Sequence, residues 1–386
     1  MKIVVALDSF KGSLTAVQAC TLVAEAIRAA MPGADVVIKP MADGGEGTAA
    51  ALMAAAGGEW VASRVMGPLP EMQVDAGFAW LAGVRTAVVE MATASGLTLL
   101  SLAQQDPLKT TTYGTGQLVK AAVEHGAERI LLAVGGSATV DGGVGAAMAL
   151  GWRFLDREGR DVPLGGGSLA RIAQIIPPPD LKCNPQSAIH NPQLTVPVHV
   201  LCDVDNPLCG EHGAARVFGP QKGATPERVE VLEAGLAHLA DMVKDQLGRD
   251  IIDLPGAGAA GGLAAGAVAF MKARLVSGID EVMSQSRLAE DVADADWVIT
   301  GEGRFDAQSL RGKVVSGVAR VAREKGARVA VLAGQVLLPP ALYHASGVEI
   351  ALACMTDSME LHYAIAHSET LLAQAAERWV RAVLSS

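Results

Sequence analysis

The sequence predicts an α/β protein of two domains: a discontinuous, doubly wound (Rossmann-like) parallel-sheet domain with a second α/β domain inserted into it. Three observations carry this prediction. Aliphatic runs of strand length alternate with amphipathic segments of helix length at both ends of the chain, the grammar of βαβ units. The composition is 50% hydrophobic and only 4% aromatic, with 43 glycines, which suits helices packed closely on parallel strands. A length of 386 residues exceeds one core at roughly 150 residues per domain.

The elements follow in order. Residues 3–7 are an aliphatic run with polar flanks, hence a buried strand. Leu14, Val17, Cys20, Ala24, Ile27 and Met31 recur at helical steps, and Thr15 with Gln18 forms a capping-box pattern. Pro32-Gly33 closes that helix, residues 36–38 read as a second strand and 48–56 as a second helix. In the middle, strands are expected at 86–91, 129–134 and 196–201, and helices near 116–125 and 143–150. At the far end, 297–300, 328–333 and 348–353 read as strands and Val314, Val318 and Val321 mark a helix. One final helix carries Leu361, Ile365, Leu372, Ala376, Trp379 and Val383. The two ends together, 1–66 and 286–386, are expected to form the discontinuous domain, and 67–285 the inserted one. Pro and Gly cluster at Gly67-Pro68-Leu69-Pro70, at the first boundary. Residues 183–194 read as a surface excursion.

Composition excludes several functions. A formal charge of −10 argues against nucleic acid, which needs a basic face. The 5 cysteines form no CxxC pair, and an odd count fits reduced cytoplasmic thiols better than a disulfide framework. Residues 254–271 carry no charge, yet Pro255, the glycines and the alanines make them a buried helix rather than a membrane span. The Walker A loop, protein-kinase signatures, HExxH and GxSxG are all missing.

What remains is oxygen chemistry at strand ends. Five polar glycine clusters follow expected strands: Asp8-Ser9-Phe10-Lys11-Gly12-Ser13, Asp43-Gly44-Gly45-Glu46-Gly47, Gly135-Gly136-Ser137 with Asp141-Gly142-Gly143, Asp203-Val204-Asp205, and Gly301-Glu302-Gly303-Arg304-Phe305-Asp306. Ligands of open α/β sheets bind at such ends, and glycines let backbone amides approach an anion. Singly, each cluster is a turn; together they describe a phosphate and metal site, suited to Mg²⁺. Gly256-Ala257-Gly258-Ala259-Ala260-Gly261 also fits GxGxxG, but its late position and Pro255 favour glycines opening a buried helix, whose amides could still meet a phosphate.

These clusters, with Cys202-Asp203-Val204-Asp205-Asn206-Pro207, Phe218-Gly219-Pro220-Gln221-Lys222-Gly223 and the run from Pro255 to Gly262, resemble the class I bacterial glycerate kinases of the glycerate 2-kinase type. The resemblance runs in order along nearly the whole chain. It implies ATP-dependent phosphorylation of D-glycerate with Mg²⁺, most directly to 2-phosphoglycerate, in a cytoplasmic enzyme of glyoxylate and sugar-acid catabolism with its active site in a cleft between domains. Leu7, Val140 and Gly334-Gln335 depart from the family pattern, and 183–194 looks inserted; none removes a carboxylate or lysine assigned to chemistry.

Phosphoryl transfer needs in-line positioning and charge neutralisation. Asp203, where an apolar strand runs into polar sequence, is the candidate base, with turn capping as the alternative. Lys11 and Lys222 are candidate phosphate contacts. Asp8, Asp43, Glu302 and Asp306 are candidates for metal or hydroxyl contacts, with Glu302 and Asp306 placed on the metal and Asp306 and Lys11 counted with the catalytic groups. Ser9, Gly44, Gly45, Gly136, Ser137, Asp141, Gly258, Gly301 and Gly303 complete the expected binding set. The partners are small molecules, neither nucleic acid nor membrane, with a homodimer as the expected assembly. A dinucleotide-dependent oxidoreductase and a non-catalytic binding protein are the competing classes. The glycines carry their own expectation: Val at Gly44, Gly142 or Gly301 should harm binding more than stability.

Overall fold

The computed structural model describes residues 1–178, 196–310, 312–356 and 358–385; residues 183–194, expected as a surface excursion, lie outside that set. The chain divides into unit 1 (Met1–Asp43, Gly47–Gly58, Ser277–Ser386) and unit 2 (Gly44–Glu46, Glu59–Val276). In chain order, unit 1 begins with β1 (Lys2–Leu7), α1 (Ala16–Ala30), β2 (Asp35–Ile38) and α2 (Thr48–Ala56). Unit 2 supplies β3 (Glu59–Met66), β4 (Gln73–Leu81), β5 (Thr86–Glu90), α3 (Tyr113–Glu124), β6 (Arg129–Ala133), α4 (Val144–Ala149), β7 (Val198–Leu201), α5 (Pro226–Leu247), α6 (Ala259–Met271) and β8 (Arg274–Val276). Unit 1 resumes with α7 (Gly278–Gln285), β9 (Trp297–Gly301), α8 (Val314–Lys325), β10 (Arg328–Ala333), β11 (Ile350–Ala353), α9 (Leu361–Ala366) and α10 (Ser368–Leu384).

The sheet of unit 1 is wholly parallel, in the order β11-β10-β9-β1-β2. Ile3, Val4, Val5, Ala6 and Leu7 are fully buried, because helices cover both faces of such a sheet. The Thr15–Gln18 capping box starts α1, whose buried face (Ala19, Cys20, Val23, Ile27) meets Leu372, Ala376 and Trp379 of α10 in one core. Trp379 stands edge-on to Trp297 of β9 at 5.4 Å. The winding direction reverses between β1 and β9, which is where such folds bind ligands.

Unit 2 has a six-stranded sheet, β8-β7-β6-β5-β4-β3, parallel from β8 to β5 and antiparallel beyond. Its core joins Phe78, Leu132, Val140, Leu236, Leu263 and Phe270. The expected boundaries move. Residues 59–66 form β3 and pair along their whole length with β4, so they fold with unit 2. Gly67-Pro68-Leu69-Pro70 is the turn of that hairpin, tied by the Gly67 amide to the Met72 carbonyl. The return crossing falls at Ser277, since α7 packs on α2 and α8.

Several helices differ from expectation. The single C-terminal helix is broken at His367, whose φ of −115° leaves the helical region. α5 was not anticipated; Thr225 caps it, accepting from the Arg228 amide, and Gly248 ends it in a left-handed conformation. No described helix is long and apolar enough to cross a membrane.

Candidate active site

A cavity of about 520 Å³ opens in unit 1 beyond the carboxyl ends of β1, β9, β10 and β11. One side is polar, with Asp8, Lys11, Asp43, Glu302 and Lys313; the other is apolar, with Met355, Leu361, Ile365 and Leu372. Each polar group has a positional cause. Asp8 is the first residue past β1, and its amide donates to the Gly301 carbonyl at the end of β9. Glu302 follows β9 directly. Lys313 caps the N-terminus of α8, where the helix dipole favours an anion.

The carboxylates repel one another. Burial, then the charge of Asp43 and to a lesser degree Glu302, pushes the Asp8 carboxyl up to about 7, against a hydrogen bond from the Ser9 amide and the charge of Lys11. Burial likewise raises Glu302, opposed by Ser309 and Lys313. Glu302 Oε1 is buried without a hydrogen-bond partner among the described residues. Acceptors in surplus fit a hard cation. No three carboxylate, histidine or cysteine side chains among the described residues form a closed metal cage; Mg²⁺ ordinarily takes only one or two carboxylates beside phosphate oxygens.

Asp306 lines the same cavity but is already engaged: Oδ1 accepts from the Gln308 amide and Oδ2 pairs with Arg304 at 3.0 Å. It holds its turn, and its carboxylate, about a quarter exposed, still faces the cavity as one candidate for the metal or catalytic place expected of it. Lys313 lines the cavity without belonging to any of the polar clusters that the sequence singles out. Its signal was Gly312, at φ +67°, immediately before an amphipathic helix.

Unit 2 gathers a second set at its own strand ends. Glu90, Ala133 and Leu201 are in register at the ends of β5, β6 and β7. The loops that follow carry Gly135-Gly136-Ser137 and Asp203, with Gly45 packed on Gly135. Asp203 is exposed. Lys222 is buried, and its Nζ donates to Ser137 Oγ at 2.7 Å and to the Thr139 carbonyl at 2.8 Å.

Several expected ligand contacts are structural instead. Asp141, 1% exposed, accepts from the Thr112 amide and hydroxyl and the Gly143 and Gly145 amides, so it ties loops together. A Cβ on Gly44 would stand 2.7 Å from Leu201 Cβ, on Gly142 2.4 Å from Leu239 Cδ2, and on Gly301 1.8 Å from the Leu332 carbonyl oxygen. These three glycines permit close packing, so replacing them carries a stability cost of its own beside any effect on binding. Gly258 meets the Pro207 carbonyl in the same way, and Gly261, at φ +65°, would drive a Cβ to 2.0 Å from the Thr139 carbonyl. The GxGxxG run is thus wrapped into the core of unit 2 and cradles no dinucleotide. Gly303 is different, with nothing nearer than 3.7 Å, and it lines the cavity.

An α/β fold with lysines, carboxylates and a helix N-terminus at its switch point has the makings of a small-molecule phosphotransferase. The model of the glycerate kinase family matches residues 3–384. Glycerate kinase of Bacillus subtilis is 42% identical over 386 residues, 100% of this chain and 97% of that protein. Glycerate 2-kinase of Escherichia coli K12 is 42% identical over 356 residues, 92% and 91% of the two chains. The crystal structure of a candidate glycerate kinase 2 from Salmonella typhimurium LT2 superposes with a TM-score of 0.86 at 40% identity, covering 100% of this chain and 98% of that one. This chain belongs to the glycerate kinase family.

Proposed function

We propose that the protein transfers the γ-phosphoryl of ATP to the 2-hydroxyl of D-glycerate with Mg²⁺ in the cytoplasm, the observation that carries this being the two-sided cavity of unit 1. The apolar wall of Met355, Leu361 and Ile365 suits a nucleobase. Lys11 and Lys313 suit the phosphates, where fixed cations offset charge developing in transfer. Glu302, with Asp8 or Asp43 beside it, would hold Mg²⁺, which when bound supplies charge neutralisation across the phosphate oxygens. In the reaction a bond forms between the glycerate oxygen and the γ-phosphorus, the bond to the leaving ADP oxygen breaks, and the hydroxyl proton passes to a carboxylate. Asp203 is the proposed acceptor: it is an exposed carboxylate two residues past β7, beside the Gly135–Ser137 loop of the neighbouring strand. Phosphorus NMR of a mixture of enzyme, MgATP and D-glycerate tests the reading. The expected product is 2-phosphoglycerate with ADP; 3-phosphoglycerate, or no product, overturns it. The cytoplasmic placement is supported by Cys20, Cys202, Cys209 and Cys354, all free thiols.

A further inference from the structure

Lys222 is a costly residue to bury and has no place in the phosphate chemistry of unit 1. It sits at the end of the turn Pro220–Lys222, is 2% exposed, and reaches the loop that follows β6. Ser137 Oγ and the Thr139 carbonyl accept from its Nζ. Ser137 is 9% exposed, more than the 2% of the lysine that donates to it. Thr139, fully buried on the same loop, has an Oγ1 without a hydrogen-bond partner among the described residues. Asp141 is the charge that acts on Lys222, but its oxygens are occupied by Thr112, Gly143 and Gly145. Glu46 is also close to the loop, its Oε2 4.0 Å from a Cβ on Gly136, and Glu90 and Asp203 stand at the two neighbouring strand ends. A buried ammonium without a dedicated counter-ion stays costly until an anion arrives.

Resting on the glycerate kinase reading, we propose that Ser137 and Lys222 form the seat for the carboxylate of the hydroxy acid. Ser137 donates its hydroxyl hydrogen to the carboxylate while accepting from Lys222 behind it, so Lys222 is a positioning residue acting through Ser137. This leaves Asp203, on the adjacent strand end, for the hydroxyl of the same molecule.

The seat has a protonic signature. Burial pulls the Lys222 ammonium down to about 7, opposed by the charge of Asp141. A bound carboxylate favours the charged form, so a proton must enter with the ligand when the free amine is neutral. About 0.9 of the amines are neutral at pH 8 and about 0.1 at pH 6.

Isothermal titration of the full-length protein with D-glycerate, in buffers of different ionisation enthalpy, measures this uptake. The expected result is about 0.9 proton taken up per glycerate at pH 8 and about 0.1 at pH 6. Ser137→Ala should weaken glycerate binding by at least about tenfold and suppress the uptake, with partial rescue by Ser137→Thr. Lys222→Met should do the same, circular dichroism reporting whether it folds; if it does not, the serine pair decides. Glycerate binding with buffer-independent heat overturns the seat and leaves the kinase reading intact. Absence of glycerate binding overturns both. Inorganic phosphate taking up the same proton with the same dependence on Ser137 makes this a phosphate subsite and overturns the carboxylate assignment.

Discussion

Replacing Asp8 with Asn separates what the carboxylate cluster costs the fold from what it does for catalysis. The Asp8 carboxyl is held at about 7, against an ordinary 3.8, by burial first and then by Asp43. The sign follows directly. Below pH 3.8 the group is protonated in both states and costs nothing; between 3.8 and about 7 the cost of ionising it inside the fold grows; above about 7 that cost is complete. A gap of this size corresponds to roughly 4 kcal/mol at its upper bound, and about 2–4 kcal/mol once the site relaxes. Asparagine removes the charge and keeps an oxygen for the Ser9 amide, 2.6 Å from Asp8 Oδ1. In urea unfolding with a chelator present, Asp8→Asn should therefore gain about 2–4 kcal/mol at pH 8 and only about 1 kcal/mol at pH 5. Turnover with MgATP should meanwhile fall by at least about a hundredfold, since stability and function draw on the same charge. A variant no more stable than the parent at pH 8, or a gain that does not grow between pH 5 and pH 8, refutes the reasoning.

Gly301→Ala sets a Cβ 1.8 Å from the Leu332 carbonyl oxygen of the adjacent strand. It should cost about 3 kcal/mol, lowering Tm by roughly 6–12 °C in a scan. Gly303→Ala, with 3.7 Å of clearance, should hold Tm within about 2 °C and act instead on the KM for MgATP. Asp141→Ala leaves the Thr112, Gly143 and Gly145 donors without their acceptor and should cost about 3 kcal/mol in chemical denaturation. Asp203→Asn should lower kcat by about 10²–10⁴ with an unchanged melt, because the side chain is exposed; near-normal turnover removes it from the proton-accepting role.

Much of unit 1 was legible because its signals are local. The run at residues 3–7, the Thr15–Gln18 box and the alternation after Trp297 each name an element within a dozen residues, and the βαβ rule then orders them. The β3–β4 hairpin was not legible in the same way. Residues 59–66 are largely exposed on one face, so they lack a buried strand's aliphatic run, and the prolines of their turn read as a linker. Asp8, Lys11, Asp43 and Glu302, expected from polar sequence shortly after aliphatic strands, line one cavity. Asp141 and Gly301 were misread for the complementary reason. A loop that binds a phosphate and a loop that packs on its neighbour's backbone ask for the same glycines and the same small acceptors, and only the contacts tell them apart. Lys313 was passed over because its cue is a helix start, not a motif.

β1 meets its two sheet neighbours at very different moments in the life of the chain. β2 follows after one helix, but Ile3 pairs with Trp297, and the whole of Glu59–Val276 intervenes. At a synthesis rate of about 5–20 residues per second, β1 waits roughly 15–60 seconds for β9. Unit 2 is uninterrupted over that span and can complete its own core first, while the β9-facing side of β1 stays an unpaired aliphatic edge open to aggregation. Any chain that stops before Trp297 keeps that edge for good. The order in which the ribosome delivers the strands therefore leaves this edge of β1 open longer than any other pairing in its sheet.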